Sequence, residues 1–215
     1  MDQERALLIL QLSSLSVFIP GIFALLRIKK GSIEQKTIAV LVLLSVLIEI
    51  LADYMAETLK ISNLPLLHIF TIFEFALIFL AFQKAIKDYL SLKKIVLLIS
   101  VFSIFSILNS IFHEPLNQFN AFARAIEALL IILIVLLYFY ATMMKLAEKH
   151  LEQSPLFWFS SGLLLYFSAT LFIFIYSNII FGTNQNSFLL WALHGVINII
   201  RYTFYTIALW IKPKT

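Results

Sequence analysis

The chain has no cysteine, so disulfides, thiolate metal sites and cysteine nucleophiles are all excluded. Only five of its 215 residues are glycine, few for hinging helices. It contains no glycine-rich phosphate loop, no His-Glu-x-x-His pair and no nucleophile elbow. Charge is also scarce, at 13% of residues against 61% hydrophobic. A water-soluble core of this length cannot hide that much apolar surface, which rules out an ordinary soluble domain. A lipid bilayer is the expected partner. The net charge of +4 comes from lysines clustered between apolar stretches, which serves membrane topology and implies no nucleic acid.

Seven apolar stretches are present, near 6–27, 37–58, 64–83, 93–113, 121–144, 155–180 and 187–211. Each is long enough to cross a hydrocarbon core about 30 Å thick. They follow one another with short polar gaps, so residues 1–215 are expected to form one all-α, seven-helix integral membrane bundle. Pro65 and Pro155 stand near helix starts, where a missing N–H is harmless. Pro20 with Gly21 should kink the first stretch. Asp2 and Glu4 do not suit the start of a signal peptide, so that stretch is expected to be retained.

The basic residues set the orientation. One set of loops holds Arg27, Lys29, Lys30, Lys36, Lys84, Lys87, Lys93, Lys94, Lys145, Lys149, Lys212 and Lys214, and the opposite set only Arg5 and Lys60. The positive-inside rule then places the N-terminus outside and the C-terminus in the cytoplasm. Pro65-Leu66-Leu67-His68 and Trp191-Ala192-Leu193-His194 stand at similar depths, as a parallel three-plus-one-plus-three arrangement requires.

Against the apolar background stand Glu49, Asp53, Glu57, Glu74, Glu127, Arg124, Arg201, His68 and His194. An ionisable group in hydrocarbon costs roughly 2.5–3.5 kcal/mol on insertion scales, so it persists when paired, hydrated or used. At about 1.5 Å per residue, Asp53, His68, Asn109, Glu127 and His194 fall roughly 6–10 Å below the outer edge. Glu49, Glu74 and Asn198 fall near the midplane. The faces agree: His194, Asn198, Arg201 and Tyr205 form one stripe, and Ser45, Glu49, Asp53 and Glu57 step by four. Ser103, Ser106, Ser110 and His113 share a side of the fourth helix, and Arg124 and Glu127 lie one turn apart on the fifth.

One outward-facing cavity is therefore expected, lined by Glu49, Asp53, His68, Glu74, Asn109, Arg124, Glu127, His194, Asn198 and Arg201, with Asn178 beside them. Polar bonding between helices explains a single serine or asparagine equally well. It explains the whole acid–His–Arg set poorly, because buried charge adds little net stability. Arg201 should pair with Glu49 or Glu74. Two carboxylates would still lack a fixed cation, which calls for shared protons, a cationic ligand or a divalent metal. His68, His194, Asp53 and Glu127 are the candidate ligands for a metal such as zinc. No lysine stands at the middle of the seventh helix, so retinal has no attachment point.

His68 and Glu74 on the third helix, Asn109, Glu127, the Phe157-Trp158 start of the sixth, and His194 with Asn198 resemble a pattern in small seven-helix membrane proteins of bacteria. That resemblance implies an inner-membrane bundle and no particular activity. A looser likeness is to seven-helix zinc hydrolases, ceramidases among them, whose last helix carries two histidines spaced by four. Here the second position is Asn198.

Three functions fit these residues. The first is a receptor-like binding or sensing subunit with a pocket on one side, whose short loops demand a cytoplasmic signalling partner or a homo-oligomer. The second is a solute or cation transporter, which needs polar lining on both sides of the midplane. The third is a metal-dependent intramembrane hydrolase acting on a lipid-like substrate.

Overall fold

Serine 32 begins the second membrane crossing by capping it. Its hydroxyl accepts from the Gln35 N–H at 3.2 Å, and the Gln35 side chain accepts in return from the Ser32 N–H at 3.3 Å. This reciprocal capping box starts a helix at Ile33, before the apolar run itself begins. The computed structural model describes residues 3–145, 150–182 and 187–212, with side chains for all of these except 145, 176–182, 187 and 188. Lys149 and Lys214 lie outside the described residues.

The elements are α1 (Gln3–Ser16), α2 (Phe18–Lys30), α3 (Ile33–Asp53), α4 (Leu64–Phe82), α5 (Leu92–Phe112), α6 (Ala121–Lys145), α7 (Pro155–Gly182) and α8 (Ser187–Trp210). The first stretch is thus one span, Gln3–Lys30, interrupted at Val17, whose own dihedrals stay helical, as the kink expected from Pro20 requires. Proline 20 has no N–H for the Ser16 carbonyl one turn back, and its ring crowds that carbonyl, so the break falls a turn before the proline. α3 runs into a π-helical turn, Tyr54–Thr58. The chain then leaves the helix through Lys60 at φ 55°, with the Ile61 N–H bonded to the Met55 carbonyl at 3.0 Å.

Among the described residues, six helical segments are long and apolar enough to cross a membrane: Gln3–Lys30, Ile33–Thr58, Leu64–Phe82, Leu92–Phe112, Ala121–Met144 and Pro155–Ile175. α8, at 24 residues, has the length of a span but carries the polar stripe. Large apolar side chains face outward along these helices, among them Phe112, Leu97 and Phe172. That surface makes this a multi-pass membrane protein with lipid as its solvent.

Packing order follows chain order and closes on itself. α8 packs against α7, α1 and α2, while α4 packs against α3, α5 and α6. These different neighbourhoods lend no support to a three-plus-one-plus-three repeat. Because lipid tails are as apolar as leucine, close packing and polar contacts must hold such helices together. At Gly162 a Cβ would stand 2.6 Å from the Phe204 Cβ, so glycine there lets α7 and α8 touch.

The lysine-rich end of α8 is tied down by its neighbours. Arg27 donates to the Leu209 and Trp210 carbonyls at 2.6 and 2.7 Å, and Gln35 donates to those of Ala208 and Ile211 at 3.0 and 2.8 Å. Carbonyls that a helix end leaves without partners are satisfied here by α2 and α3.

Candidate functional site

Glu74 sits ten residues into α4 and faces the bundle interior. Its carboxylate takes two arginines: Arg124 of α6 on Oε2 at 2.5 Å and Arg201 of α8 on Oε1 at 3.0 Å. Arg124 also reaches Glu127, one turn along its own helix, at 2.8 Å. The result is a chain of charges, Arg201–Glu74–Arg124–Glu127, running across three helices. Glu74 is 1% exposed, Glu127 0%, Arg201 4% and Arg124 8%. With two cations and two anions, the chain is electroneutral within itself.

Aromatic rings enclose it. The Arg201 guanidinium lies 4.0 Å from the Tyr166 ring centroid and 4.8 Å from that of Tyr202, whose hydroxyl it also meets at 3.1 Å. Arg124 lies 5.1 Å from the Phe174 centroid. Such contacts stabilise a desolvated cation by about 2 kcal/mol. A hydrogen bond of 3.1 Å between the Tyr166 hydroxyl and His194 Nε2 joins that histidine to the network.

The two ends of the site differ. Away from the lysines, His194 is flanked by Trp191 and Phe174 at ring distances of 5.5 and 6.1 Å, with Phe119 5.8 Å from Trp191. Polar groups continue on this side: Asn198 donates to Ser13 at 3.0 Å, and the Ser14 hydroxyl donates to Glu49. Toward the lysine-rich end Tyr205 packs with a tilted ring against Phe159 at 4.9 Å, Phe159 meets Phe82, and Phe82 meets Tyr138. All four of those side chains are buried. Ser160 and Ser161 bond their own helix, to the Leu156 and Phe157 carbonyls. That end is an aromatic plug.

Within the described residues, Glu127 Oε1, Arg201 Nε and the Tyr205 hydroxyl are buried without a hydrogen-bond partner. A buried polar atom left unmade costs about 1–3 kcal/mol, more when charged. The network therefore holds one spare acceptor on an anion and one spare donor on a cation.

The remaining expected site residues go elsewhere. Asp53 is exposed at the end of α3, and Glu57 pairs at 3.3 Å with Lys60 in the following turn. Asn109 donates to Glu114 at 2.9 Å. His68 is buried with one ring nitrogen at 2.7 Å from the Ser110 hydroxyl and the other at 3.0 Å from the Gln118 carbonyl. The side chain of Asn178 lies outside the described residues. So the single cavity shared by all ten residues is corrected: Glu74, Arg124, Glu127 and Arg201 meet, His194 joins through Tyr166, and Asp53, His68 and Asn109 stand apart.

The expected metal set is corrected with it. His68 and His194 have separate partners, and Arg124 occupies Glu127. Among the described residues no group of three or more His, Asp or Glu side chains is placed to hold a metal. Of the five acids, Glu74 and Glu127 are balanced by two arginines, Asp53 and Glu57 are exposed, and half-buried Glu49 is held by the Ser14 hydroxyl.

Three polar residues not singled out from the sequence support the architecture. Glu114 accepts from the Phe122 N–H at 3.0 Å and so caps the start of α6, holding the segment that carries Arg124 and Glu127. Asn120 donates to Thr71 at 2.7 Å, tying the same start to α4. Gln35 was legible, because Ser32-Ile33-Glu34-Gln35 is a capping-box pattern. Glu114 and Asn120 act through loop-to-helix contacts that leave no local signature. No protein-family model, curated protein or solved structure matches the chain.

Proposed function

We propose that this chain is a receptor-like membrane protein that binds a small polar ligand at the Arg201–Glu74–Arg124–Glu127 chain. In this reading the N-terminus is outside, the C-terminus is cytoplasmic, and the ligand enters from the outer face. The observation that carries it is the spare capacity inside an electroneutral site: Glu127 Oε1 and Arg201 Nε, both buried and unpartnered. Buried ion pairs seldom repay their desolvation as stability, so their presence in a membrane argues for use. A neutral or zwitterionic solute with one donor and one acceptor would satisfy both atoms without adding net charge.

Binding is favoured over transport by the difference between the two ends. Alternating access needs polar lining on both sides of the site, and the lysine-rich side is filled by Phe82, Tyr138, Phe159 and Tyr205. The loops are too short for an output domain, so signalling runs through a cytoplasmic partner or a second copy.

The test is thermal unfolding of the purified protein in nanodiscs with millimolar amino acids, alkylamines or alkylcarboxylates. Compounds bearing both an amine and a carboxylate should raise the midpoint, and Glu127→Gln, confirmed as folded by gel filtration, should weaken that binding at least about tenfold. A ligand at a hundred times its Kd stabilises by about 2.7 kcal/mol, well within detection. Equal shifts from single-function compounds, or undiminished binding by Glu127→Gln, would contradict the reading.

A further inference from the structure

We propose that the groove between the lysine-rich ends of α2 and α8 binds the headgroup of an anionic phospholipid. A cavity of about 660 Å³ opens there, and its charged lining is wholly basic: Arg27, Lys29, Lys30 and Lys212. That volume lies within the roughly 300–1,000 Å³ of small-molecule sites. Lys29, Lys30 and Lys212 form no ion pair among the described residues, whereas Lys84, at the same end of the bundle, faces Glu34 at 3.9 Å. Four cations gathered without a carboxylate repel one another, and an anion relieves that repulsion.

The groove is built rather than incidental. Arg27 is fixed by its two bonds to the Leu209 and Trp210 carbonyls, so its guanidinium holds one position at the back of the groove. Phe23 and Trp210 meet with tilted rings 5.3 Å apart and form an apolar wall beside the cations. Leu25 and Leu26, each 63% exposed, continue that wall along the lipid-facing side of α2. Phosphate chemistry alone would use the basic residues and leave the wall idle. A phospholipid uses both, with its phosphate among the lysines and its acyl chains along α2. A tryptophan at this level also matches the aromatic belt of membrane interfaces. The site is separate from the Arg–Glu chain and does not depend on what that chain binds.

Delipidated protein in neutral detergent should be titrated with phosphatidylglycerol, phosphatidylcholine or inorganic phosphate, with binding read by native mass spectrometry and thermal unfolding. Phosphatidylglycerol should bind and raise the unfolding midpoint, while phosphatidylcholine and millimolar phosphate should do neither. Each lysine near an anionic headgroup contributes about fivefold, so Lys29→Gln, Lys30→Gln and Lys212→Gln together should weaken phosphatidylglycerol roughly 100-fold. These lysines make no bond to α8, so the triple variant should fold. Lys93→Gln with Lys94→Gln, removing two exposed charges at the same end on α5, should leave affinity unchanged. Equal binding of both lipids, equal stabilisation by free phosphate, an unaffected triple variant, or an equal loss in the α5 variant would each overturn the proposal.

Discussion

Arg201 of α8 donates to the Glu74 carboxylate of α4 at 3.0 Å, across 127 positions of sequence. The bond crosses the bundle between two helices whose main packing partners differ and which share contact with α3. The same carboxylate also serves Arg124, so removing either partner leaves a buried charge with less than its due.

Arg201→Ala should therefore destabilise the protein by about 3–5 kcal/mol, the usual cost of breaking a buried pair from one side. Removing Glu74 as well leaves Arg124 paired with Glu127, an electroneutral remainder. The double variant Arg201→Ala, Glu74→Ala should lose less than the sum of the single losses by about 1–3 kcal/mol. Strictly additive losses in chemical unfolding would count against the coupling.

A second expectation concerns packing. Gly162→Ala places a Cβ 2.6 Å from the Phe204 Cβ, an atom fixed to the backbone of α8. The helices must move apart, at about 1–3 kcal/mol. Gly195→Ala meets the Ile9 Cγ2 methyl at 3.2 Å, a mild contact that a shift of a few tenths of an ångström relieves. Alanine also favours the helix over glycine by about 1 kcal/mol, so this second change should be near neutral. Thermal midpoints in the reverse order would contradict the α7–α8 contact.

Much of the bundle was legible because a bilayer imposes a length on any helix that crosses it. Leu64–Phe82 and Leu92–Phe112 begin and end within a residue of the apolar runs at 64–83 and 93–113. Depth could be read in the same way, and it set Glu74 near Arg201. Depth is only one coordinate, however, and it grouped His68 with His194 although one turns toward α5 and the other toward α7. The direction in which a helix face points is set by packing, which a single sequence does not record. Asp53 illustrates the other error. It was placed in the cavity, and the π-helical turn that follows it carries that end of the crossing, Glu57 included, out of the bundle.

Orientation gives a third expectation. With the lysines in the cytoplasm, a reporter that fluoresces only there should be bright when fused after Thr215. A well-expressed but dark fusion would reverse the topology and place the polar end of the site inside the cell.

The central claim is that the Arg–Glu chain is reached from one face only, and the absence of cysteine makes this directly measurable. Single cysteines at His194 and Ser160 would each be the only thiol in the protein. A membrane-impermeant thiol reagent applied to the N-terminal face should label His194→Cys, while Ser160→Cys should remain unlabelled from either face. Labelling of Ser160→Cys from the cytoplasmic face at a rate comparable to His194→Cys would mean access from both sides, and an inert His194→Cys would mean access from neither; either result contradicts a one-sided binding site.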